Sequence, residues 1–473
     1  MLNSASRPAA SRPAQAPLQV VFATTEVAPW SKVGGLGDVM GALPAALAAR
    51  GHRVMTVAPR YAAYKDAVDT AFRAALGAAL RDAHSAFCIH NLAYQGGLPL
   101  TAFGRLCLPR SARAALEWPQ PTGSSSDRGD MAGGAADSAG VGPATEGLGV
   151  ERPRPECAPS RVDMANGQHN EAALSLNWMH AALAESDAVL TVSPTYAREI
   201  CEDTDMACGM QRILRARGVR GIMNGLDVCE WDPATDAMLP ARARFAAAED
   251  AARGKAAAKR AAQRRFGLTA DPSAPLMVYI GRLTGQKGVD VILSAAPALL
   301  GPAPGVPPLP PCAGPPSPDA AAAAAEVDTD SAEASSARSA GIATFREEAA
   351  HLLVAAADFV LVPSRFEPCG LVAQAAVRYG AVPIVAPVGG LADLVVPGVG
   401  YQMGCDPDAV AAGGAQAHRA AVRALTAAAA VALRDFATPR HAALRARCLA
   451  LDVSWDRPAA EWEAALYAVA ASQ

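Results

Sequence analysis

The chain has 473 residues, a length that suits two domains of ordinary size better than a single core. Its 42 Lys and Arg against 45 Asp and Glu leave a net charge of -3, which argues against a nucleic-acid or membrane-surface binder, because such proteins carry a concentrated basic surface. No apolar run reaches the ~20 residues of a membrane span, and the 10 cysteines lie singly without a CxxC pair, so we expect a soluble protein with neither a zinc site nor a disulfide scaffold.

The N-terminal segment, residues 1–17, contains Ser, Ala and two Arg, and no acidic residue precedes Glu26. It lacks the apolar stretch of a secretory signal and is similar to the Ser-rich, acid-poor start of a plastid transit peptide. A frayed, alanine-rich terminus is the alternative interpretation.

The first ordered block predicts a βαβ unit. LQVVFATTE is typical of a buried strand, VAPWSKVGGLGD of a loop, VMGALPAALAARG of a helix and HRVMTVAP of a second strand. Two low-complexity stretches follow later in the chain, residues 119–160 and 301–341. Neither holds spaced large apolar residues, so we predict that both are disordered insertions, linkers or products of a faulty gene model.

The last block repeats the alternation of strands and helices. LMVYIGRL and AVPIVAP are predicted strands, and ADFVLVPSRFEP is a predicted strand followed by a loop. VDVILSAAPALL and CGLVAQAAVRYG are predicted helices, and VGGLADLV is a predicted loop. The alternation predicts an α/β protein with two doubly wound domains facing each other. We place them at residues 18–222 and 223–455, followed by a C-terminal helix over 456–473.

Glycine and charge motifs stand at the predicted strand exits. In KVGGLGD, consecutive glycines and a following helix would suit a phosphate, with Lys32 adding a full charge; a tight turn with an exposed lysine is the alternative. Arg282 and Lys287 follow a buried strand, where ligands of α/β sheets bind, and they could meet one diphosphate or simply be solvated. A second glycine loop, Gly389-Gly390-Leu391, also follows a strand.

Two further side chains are candidates. Glu367 lies between a predicted strand and a helix that begins near Cys369 and Gly370, where a carboxylate either serves a site or caps the helix. His90 follows the strand-like run that ends at Ile89, a position where a histidine is more often structural than catalytic. Because a histidine normally titrates between pH 5 and 8, we expect His90 to be the group that titrates in that range.

Seven segments together resemble the starch and bacterial glycogen synthases. They are KVGGLGD, IHNLAYQGG, LTVSPTYA, IMNGLDVCEWDPATD, IGRLTGQKGVD, TFREEAAHL and DFVLVPSRFEPCGL, in this order. The resemblance implies the two-domain GT-B fold and transfer of glucose from ADP-glucose to the non-reducing end of an α-1,4-glucan, such as a starch granule. It also implies retention of configuration and no metal or other cofactor, and with it no nucleic-acid or membrane partner.

The resemblance also implies roles for individual residues. The catalytic set would be His90 on the donor glucose, Arg282 and Lys287 on the leaving diphosphate, and Glu367 against the sugar. The remaining substrate-binding positions that it implies are Lys32, Gly34, Gly35, Asp38, Asn224, Cys369, Gly370, Gly389, Gly390 and Leu391. Whether the donor is ADP-glucose or UDP-glucose stays open.

Within the family, RGHRVMTVAPRYAAYKDAVDT, FCIHNLAYQG and NWMHAALAESD are most similar to the granule-bound, amylose-making enzymes of plastids, with a soluble starch synthase as the alternative. The family's long stretch after AAYKDAVDTAF is replaced here by the short segment Arg73–Ala83, and residues 301–341 replace a further strand. We therefore expect missing sheet strands, which leaves a catalytically impaired starch-associated homologue, or an incomplete gene model of a soluble starch synthase, as alternatives. A Rossmann dehydrogenase is disfavoured because neither βαβ unit carries GxGxxG with a downstream acid.

Overall fold

The computed structural model describes residues 16–59, 61, 83–106, 108, 110, 112–119, 174–203, 206–246, 248–300, 338–344, 346–404 and 414–471. The transit-like segment 1–17, the short segment Arg73–Ala83 and the insertions 119–160 and 301–341 lie almost wholly outside these residues. The expectations for those stretches therefore remain predictions.

The described residues contain parallel and antiparallel strands and helices of both α and 3-10 type. The strands are β1 Gln19–Ala23, β2 Arg53–Val57, β3 Ala86–Ile89, β4 Gly97–Pro99, β5 Glu117–Pro119, β6 Leu174–Asn177, β7 Ala188–Thr191, β8 Arg220–Gly221, β9 Met277–Val278, β10 Phe359–Val362, β11 Val382–Val385 and β12 Tyr401–Gln402. The α-helices are α1 Gly35–Ala49, α2 Ala112–Leu116, α3 Trp178–Glu185, α4 Pro194–Glu202, α5 Gln211–Arg217, α6 Ala248–Arg265, α7 Val289–Leu300, α8 Glu347–Ala356, α9 Leu371–Arg378, α10 Gly389–Leu394, α11 Gly414–Asp435, α12 Pro439–Ala450 and α13 Asp456–Ala471. The 3-10 helices are Leu100–Leu106, Ala241–Ala243 and Gly285–Lys287.

The chain divides into two compact units, and the first is made from both ends of the sequence. It comprises Met1–Asp82, Gly225–Asp227 and Ser454–Gln473, and the second unit comprises Ala83–Asn224 and Val228–Val453. The domain boundaries expected from the sequence, 18–222 and 223–455, remain a prediction.

The first unit contains the predicted βαβ unit, although no residue of β1 is buried among the described residues, so the prediction of a buried strand is wrong. β1 and β2 pair in parallel with Val21 opposite Met55, and α1 connects them. Gly51, with a φ of +97°, ends the helix in the left-handed region that glycine tolerates, which lets the chain turn into β2. Helix α13 packs on α1, so the last residues described complete the unit that the first ones begin.

Polar and aromatic contacts fix α13 in the first unit. The Glu463 carboxylate accepts hydrogen bonds from Arg50 at 2.5 Å and from His52 at 2.9 Å. The rings of Trp462 and Phe22 meet edge to face with centroids 6.5 Å apart. These contacts hold the C-terminal helix on the β1–α1–β2 unit.

The second unit contains two parallel sheets and a small antiparallel one. Their strand orders are β3-β7-β8, β12-β11-β10-β9 and β4-β6-β5. Every residue of β10 and β11 is buried, as expected for apolar strands in the middle of a parallel sheet. Phe359 of β10 lies opposite Val382 of β11, and this register brings the ends of both strands to the same edge of the sheet.

Two local predictions differ from the structure. The segment VGGLADLV, expected to be a loop, contains α10, because the chain enters the helix through Gly389 and continues with the helix formers Leu391 and Ala392. The predicted strand LMVYIGRL pairs only through Met277 and Val278 before the chain leaves the sheet. Within the described ranges, no helix is both long and apolar enough to cross a membrane.

Candidate active site

The candidate residues of the second unit follow three neighbouring parallel strands. Arg282 and Lys287 come after β9, Glu367 comes after β10, and Gly389 comes after β11. The carboxyl ends of adjacent parallel strands open at one edge of a sheet, which is the usual ligand position in α/β proteins. The topology therefore gathers these predicted residues from three separate segments.

Lys287 and Glu367 form the central ion pair. Lys287 Nζ lies 2.6 Å from Glu367 Oε2, and the Ser364 hydroxyl donates to the same oxygen at 2.9 Å. The Glu367 side chain is only 9% exposed and that of Lys287 19%, so the pair is largely withdrawn from solvent while the ammonium group stays reachable. A cation held in this way is oriented before any ligand arrives.

Glycine is required where the loops after β10 and β11 touch. A Cβ on Gly389, whose φ is +45°, would overlap the carbonyl oxygen of Glu367, and a Cβ on Gly390 would overlap that of Cys369. Gly390 N also donates to Glu367 O at 2.9 Å. The first turn of α10, here called the Gly389–Leu391 turn, and the loop that carries Glu367 are thus packed backbone to backbone. The position of one sets the position of the other.

Cys369, Gly370 and Leu391 pack into this contact, and their substrate-binding role remains a prediction. Gly370 has a φ of +83°, and a Cβ there would lie 2.8 Å from Leu391 Cδ2. Burial raises the pKa of Cys369 to about 12, against hydrogen bonds from the backbone and side chain of Asn224 that lower it. Cys369 is therefore a neutral, structural thiol at physiological pH, and Asn224 lies beside it.

Three buried polar atoms near these loops lack a hydrogen-bond partner in the described part of the chain. They are Asn224 Oδ1, Thr284 Oγ1 and Gln374 Oε1. Gln374 uses its other amide atom to donate to Asn224 O at 2.9 Å. Since buried polar groups are nearly always satisfied, unpartnered ones at the end of a sheet are consistent with a site that a polar ligand completes.

Arg282 and Lys287 have different partners. Arg282 contacts Tyr94, whereas Lys287 contacts Glu367. Its guanidinium donates to Tyr94 Oη at 2.9 Å, lies over the same ring at 5.8 Å and donates to Gln286 Oε1 at 3.2 Å. Tyr94 belongs to the segment IHNLAYQGG, four residues after His90. The structure therefore brings this segment to Arg282, although the sequence analysis had assigned no role to the tyrosine.

His90 lies just after β3 and is partly buried. Burial lowers its pKa from 6.5 to about 4, so the predicted titration of His90 between pH 5 and 8 is wrong. The imidazole is neutral throughout that range, and one ring nitrogen can donate a hydrogen bond while the other accepts one.

The predicted glycine loop of the first unit is also internally paired. Lys32 Nζ contacts Asp38 Oδ1 at 2.7 Å, and Glu26 Oε2 accepts from the backbone N–H groups of Val33 at 3.1 Å and Gly34 at 3.0 Å. A Cβ added to Gly34 would meet nothing within 4 Å, so the space beside this glycine is open. Gly35 begins α1. Glu26 was not predicted to hold this loop, although its position just after β1 places it where loop-binding side chains of α/β proteins lie.

No cluster of three or more His, Cys, Asp or Glu side chains suited to a metal ion occurs among the residues the structure covers.

Two family models match the sequence. The starch synthase catalytic domain matches residues 19–75 and 70–216, and the group 1 glycosyl transferases match residues 274–425. The ranges include all the predicted site residues except Asn224.

Curated relatives align over nearly the whole chain. Granule-bound starch synthase 1, chloroplastic/amyloplastic, of Manihot esculenta is 33% identical over 573 residues, covering 97% of this chain and 83% of the relative. The glycogen synthase of Anaeromyxobacter sp. (strain Fw109-5) is 35% identical over 514 residues, covering 96% of this chain and 100% of the relative. Both alignments are longer than the 473 residues of this chain, so both relatives contain segments without a counterpart here.

A solved structure shares the fold. The catalytic domain of starch synthase IV from Arabidopsis thaliana, bound to ADP and acarbose, matches with a TM-score of 0.67 at 22% identity, covering 96% of this chain and 99% of that one. The mixed α/β architecture with parallel sheets is that of the GT-B glycosyltransferases, as the sequence predicts.

Proposed function

Since the chain belongs to the starch and bacterial glycogen synthase family of hexosyltransferases, we propose that it transfers glucose from ADP-glucose to the non-reducing end of an α-1,4-glucan. The observation that carries the proposal is the partly buried ion pair of Lys287 and Glu367 beyond the ends of adjacent parallel strands. It sets a cation and a carboxylate side by side where a nucleotide sugar would bind.

The cations match the charge that the reaction develops. Cleavage of the glycosyl–phosphate bond leaves negative charge on the diphosphate, and fixed positive groups stabilise that charge without needing to reorganise. Lys287 and Arg282 have this role in the proposal. Their side chains are held by Glu367 and by Tyr94, respectively, so both cations are oriented before the donor arrives.

His90 and Glu367 would orient the sugar. His90, uncharged near neutral pH, would hydrogen-bond the donor glucose, and the Glu367 carboxylate would lie against it. Asn224, Cys369, Gly370 and the Gly389–Leu391 turn would line the same pocket. The family resemblance implies that Lys32, Gly34, Gly35 and Asp38 contact the phosphates and sugar of the donor, and that transfer proceeds with retention of configuration.

We place the enzyme in a plastid, bound to starch granules. Several relatives are named as granule-bound and chloroplastic/amyloplastic starch synthases, and the start of this sequence is similar to a transit peptide. The bacterial glycogen synthase among the relatives is consistent with the same chemistry on a different glucan.

The decisive experiment is incorporation of labelled glucose into amylopectin by the purified protein. We expect incorporation from ADP-glucose and less from UDP-glucose, with the label released as maltose by an exo-acting amylase specific for α-1,4 bonds. A folded protein that incorporates nothing from either donor would contradict the proposal and favour the catalytically impaired homologue. Preference for UDP-glucose would overturn the donor assignment alone.

A further inference from the structure

Helices α4 and α10 cap each other. A carboxylate from each helix accepts hydrogen bonds at the first turn of the other. Asp393 of α10 accepts from Thr195 N at 2.8 Å and from Thr195 Oγ1 at 2.7 Å, at the start of α4. In the other direction, Glu199 Oε1 of α4 accepts from Gly389 N at 2.8 Å, at the start of α10. The two helices therefore hold each other's ends through charge-assisted hydrogen bonds.

Only one oxygen of Glu199 is used in this exchange. Its Oε2 is buried and has no hydrogen-bond partner among the described residues. The same oxygen lies 3.6 Å from the position that a Cβ on Gly389 would occupy. A carboxylate that has one buried oxygen without a donor, and only a neutral N–H on the other, costs folding free energy. Packing alone does not explain why this glutamate is placed here.

The N–H group that Glu199 holds belongs to the turn packed against Glu367. Gly389 approaches the Glu367 carbonyl too closely to carry a Cβ, and Gly390 N donates to that carbonyl at 2.9 Å. Ser193, which precedes α4, donates to Pro368 O at 2.6 Å. The start of α4 and its second turn, which carries Glu199, are thus linked to the two segments that carry the candidate donor site.

We propose that Glu199 is a positioning residue for the donor site, whose ionised carboxylate holds the Gly389–Leu391 turn against Glu367, and that its protonation weakens donor binding. This inference rests on the proposed function, because it assigns a control to the same site.

The raised pKa of Glu199 supports the proposal. Burial raises the pKa of Glu199 to about 7, opposed by the hydrogen bond from Gly389 N–H. Asp393 on α10 and Asp203 at the end of α4 raise it further, whereas Arg198 lowers it. Above about pH 7 the carboxylate accepts the Gly389 N–H with full charge; below it, the added proton neutralises the acceptor. Donor affinity therefore falls as the pH drops through 7.

The test compares wild type, Glu199→Gln and Glu202→Gln between pH 5.5 and 8.5. Glu202 is an exposed residue of the same helix, so its substitution is the matched control. The readouts are the KM for ADP-glucose, the KM for glucan, and equilibrium binding of ADP-glucose without acceptor. ADP-glucose is the ligand rather than ADP because a terminal phosphate itself titrates near pH 6.

We expect the wild-type KM for ADP-glucose to rise several-fold, up to about tenfold, from pH 8 to pH 6, since one charge-assisted hydrogen bond is weakened. Glu199→Gln should show the raised value at every pH, Glu202→Gln should follow wild type, and the KM for glucan should change little in any of them.

A Glu199→Gln enzyme with the wild-type KM and pH profile would overturn the inference while leaving the transferase assignment intact. Absence of transfer by wild type at every pH would instead contradict the proposed function. If Glu199→Gln does not fold, the wild-type binding curve decides: an ADP-glucose affinity that is flat from pH 6 to 8 overturns the inference, and a decline centred near pH 7 supports it.

Discussion

Lys287 is the side chain on which the proposed chemistry depends most. We expect Lys287→Ala to lower kcat/KM for ADP-glucose by about 10²-fold, the scale of removing one preorganised charge stabiliser. The substitution also leaves Glu367, only 9% exposed, with Ser364 as its remaining contact on that oxygen. Steady-state kinetics at saturating glucan measure the effect.

The matched control for this substitution is Arg260→Ala, which removes an exposed cation from α6. It should leave kcat/KM unchanged. A drop of less than two-fold in a folded Lys287→Ala enzyme would remove Lys287 from the diphosphate site.

His90 determines a pH effect on stability rather than on activity near neutrality. Its pKa is about 4 in the folded chain against 6.5 ordinarily, so the unfolded chain takes up a proton between these values that the folded chain does not. Stability is therefore lost as the pH falls from about 6.5 to 4. In urea titrations at pH 7 and pH 4.5, His90→Gln should lose less stability over this window than wild type. Its activity profile from pH 5 to 8 should keep the wild-type shape. A loss of wild-type activity toward pH 5 that is absent in His90→Gln would contradict the lowered pKa.

At the scale of elements, the contact between the Glu367 loop and α10 depends on glycine. We expect Gly390→Ala to lower the melting temperature by several degrees and to reduce transfer, because the added methyl group would overlap the Cys369 carbonyl, which cannot move without displacing the loop. Gly404→Ala is the control, since a Cβ there would meet no atom of the described residues within 4 Å. Differential scanning fluorimetry of both variants gives the comparison; equal melting temperatures would show that the two loops can separate freely.

Elements with a local signal were predicted well. α7 runs over Val289–Leu300, the same residues that the apolar spacing indicates, and β10 and β11 lie within the predicted buried strands. α10 was not predicted, since two leading glycines are poor helix formers and the helix forms where it packs on α4. Propensity is a local quantity, whereas this helix is stabilised by residues almost two hundred positions earlier.

The residues of the candidate site likewise fall into those that could be predicted from the sequence and those that could not. Arg282, Lys287 and Glu367 could be predicted because the carboxyl ends of parallel strands meet at one edge, whatever the length of chain between them. Glu199 could not, because its contact with Gly389 spans 190 positions and helix α4 shows no local feature that distinguishes this glutamate from Glu202. Tyr94 was present in a quoted motif, but only the structure connects it with Arg282.

At the scale of the whole molecule, Glu463 joins the two ends of the chain. Hydrogen bonds from Arg50, and then from His52, hold the pKa of this carboxyl below its usual value, so its stabilising effect is present above about pH 4.5 and is lost as the pH falls. We expect Glu463→Gln to lower the melting temperature of the first unit by a few degrees at pH 7 and to speed proteolysis within residues 16–59. Glu461→Gln, on the same helix and paired with Arg457, is the control; equal cleavage rates in the two variants would mean that other contacts hold α13.

The closure of the first unit by α13 has a consequence for biosynthesis. β1, α1 and β2 are synthesised nearly four hundred residues before the helix that covers them, a delay of about 20 to 80 s at common elongation rates. Until then Phe22 lacks Trp462, and the partners of Glu463 are unoccupied. The nascent first unit should therefore be a client of ribosome-associated chaperones, and a prematurely terminated chain should be degraded rather than accumulate as a stable fragment.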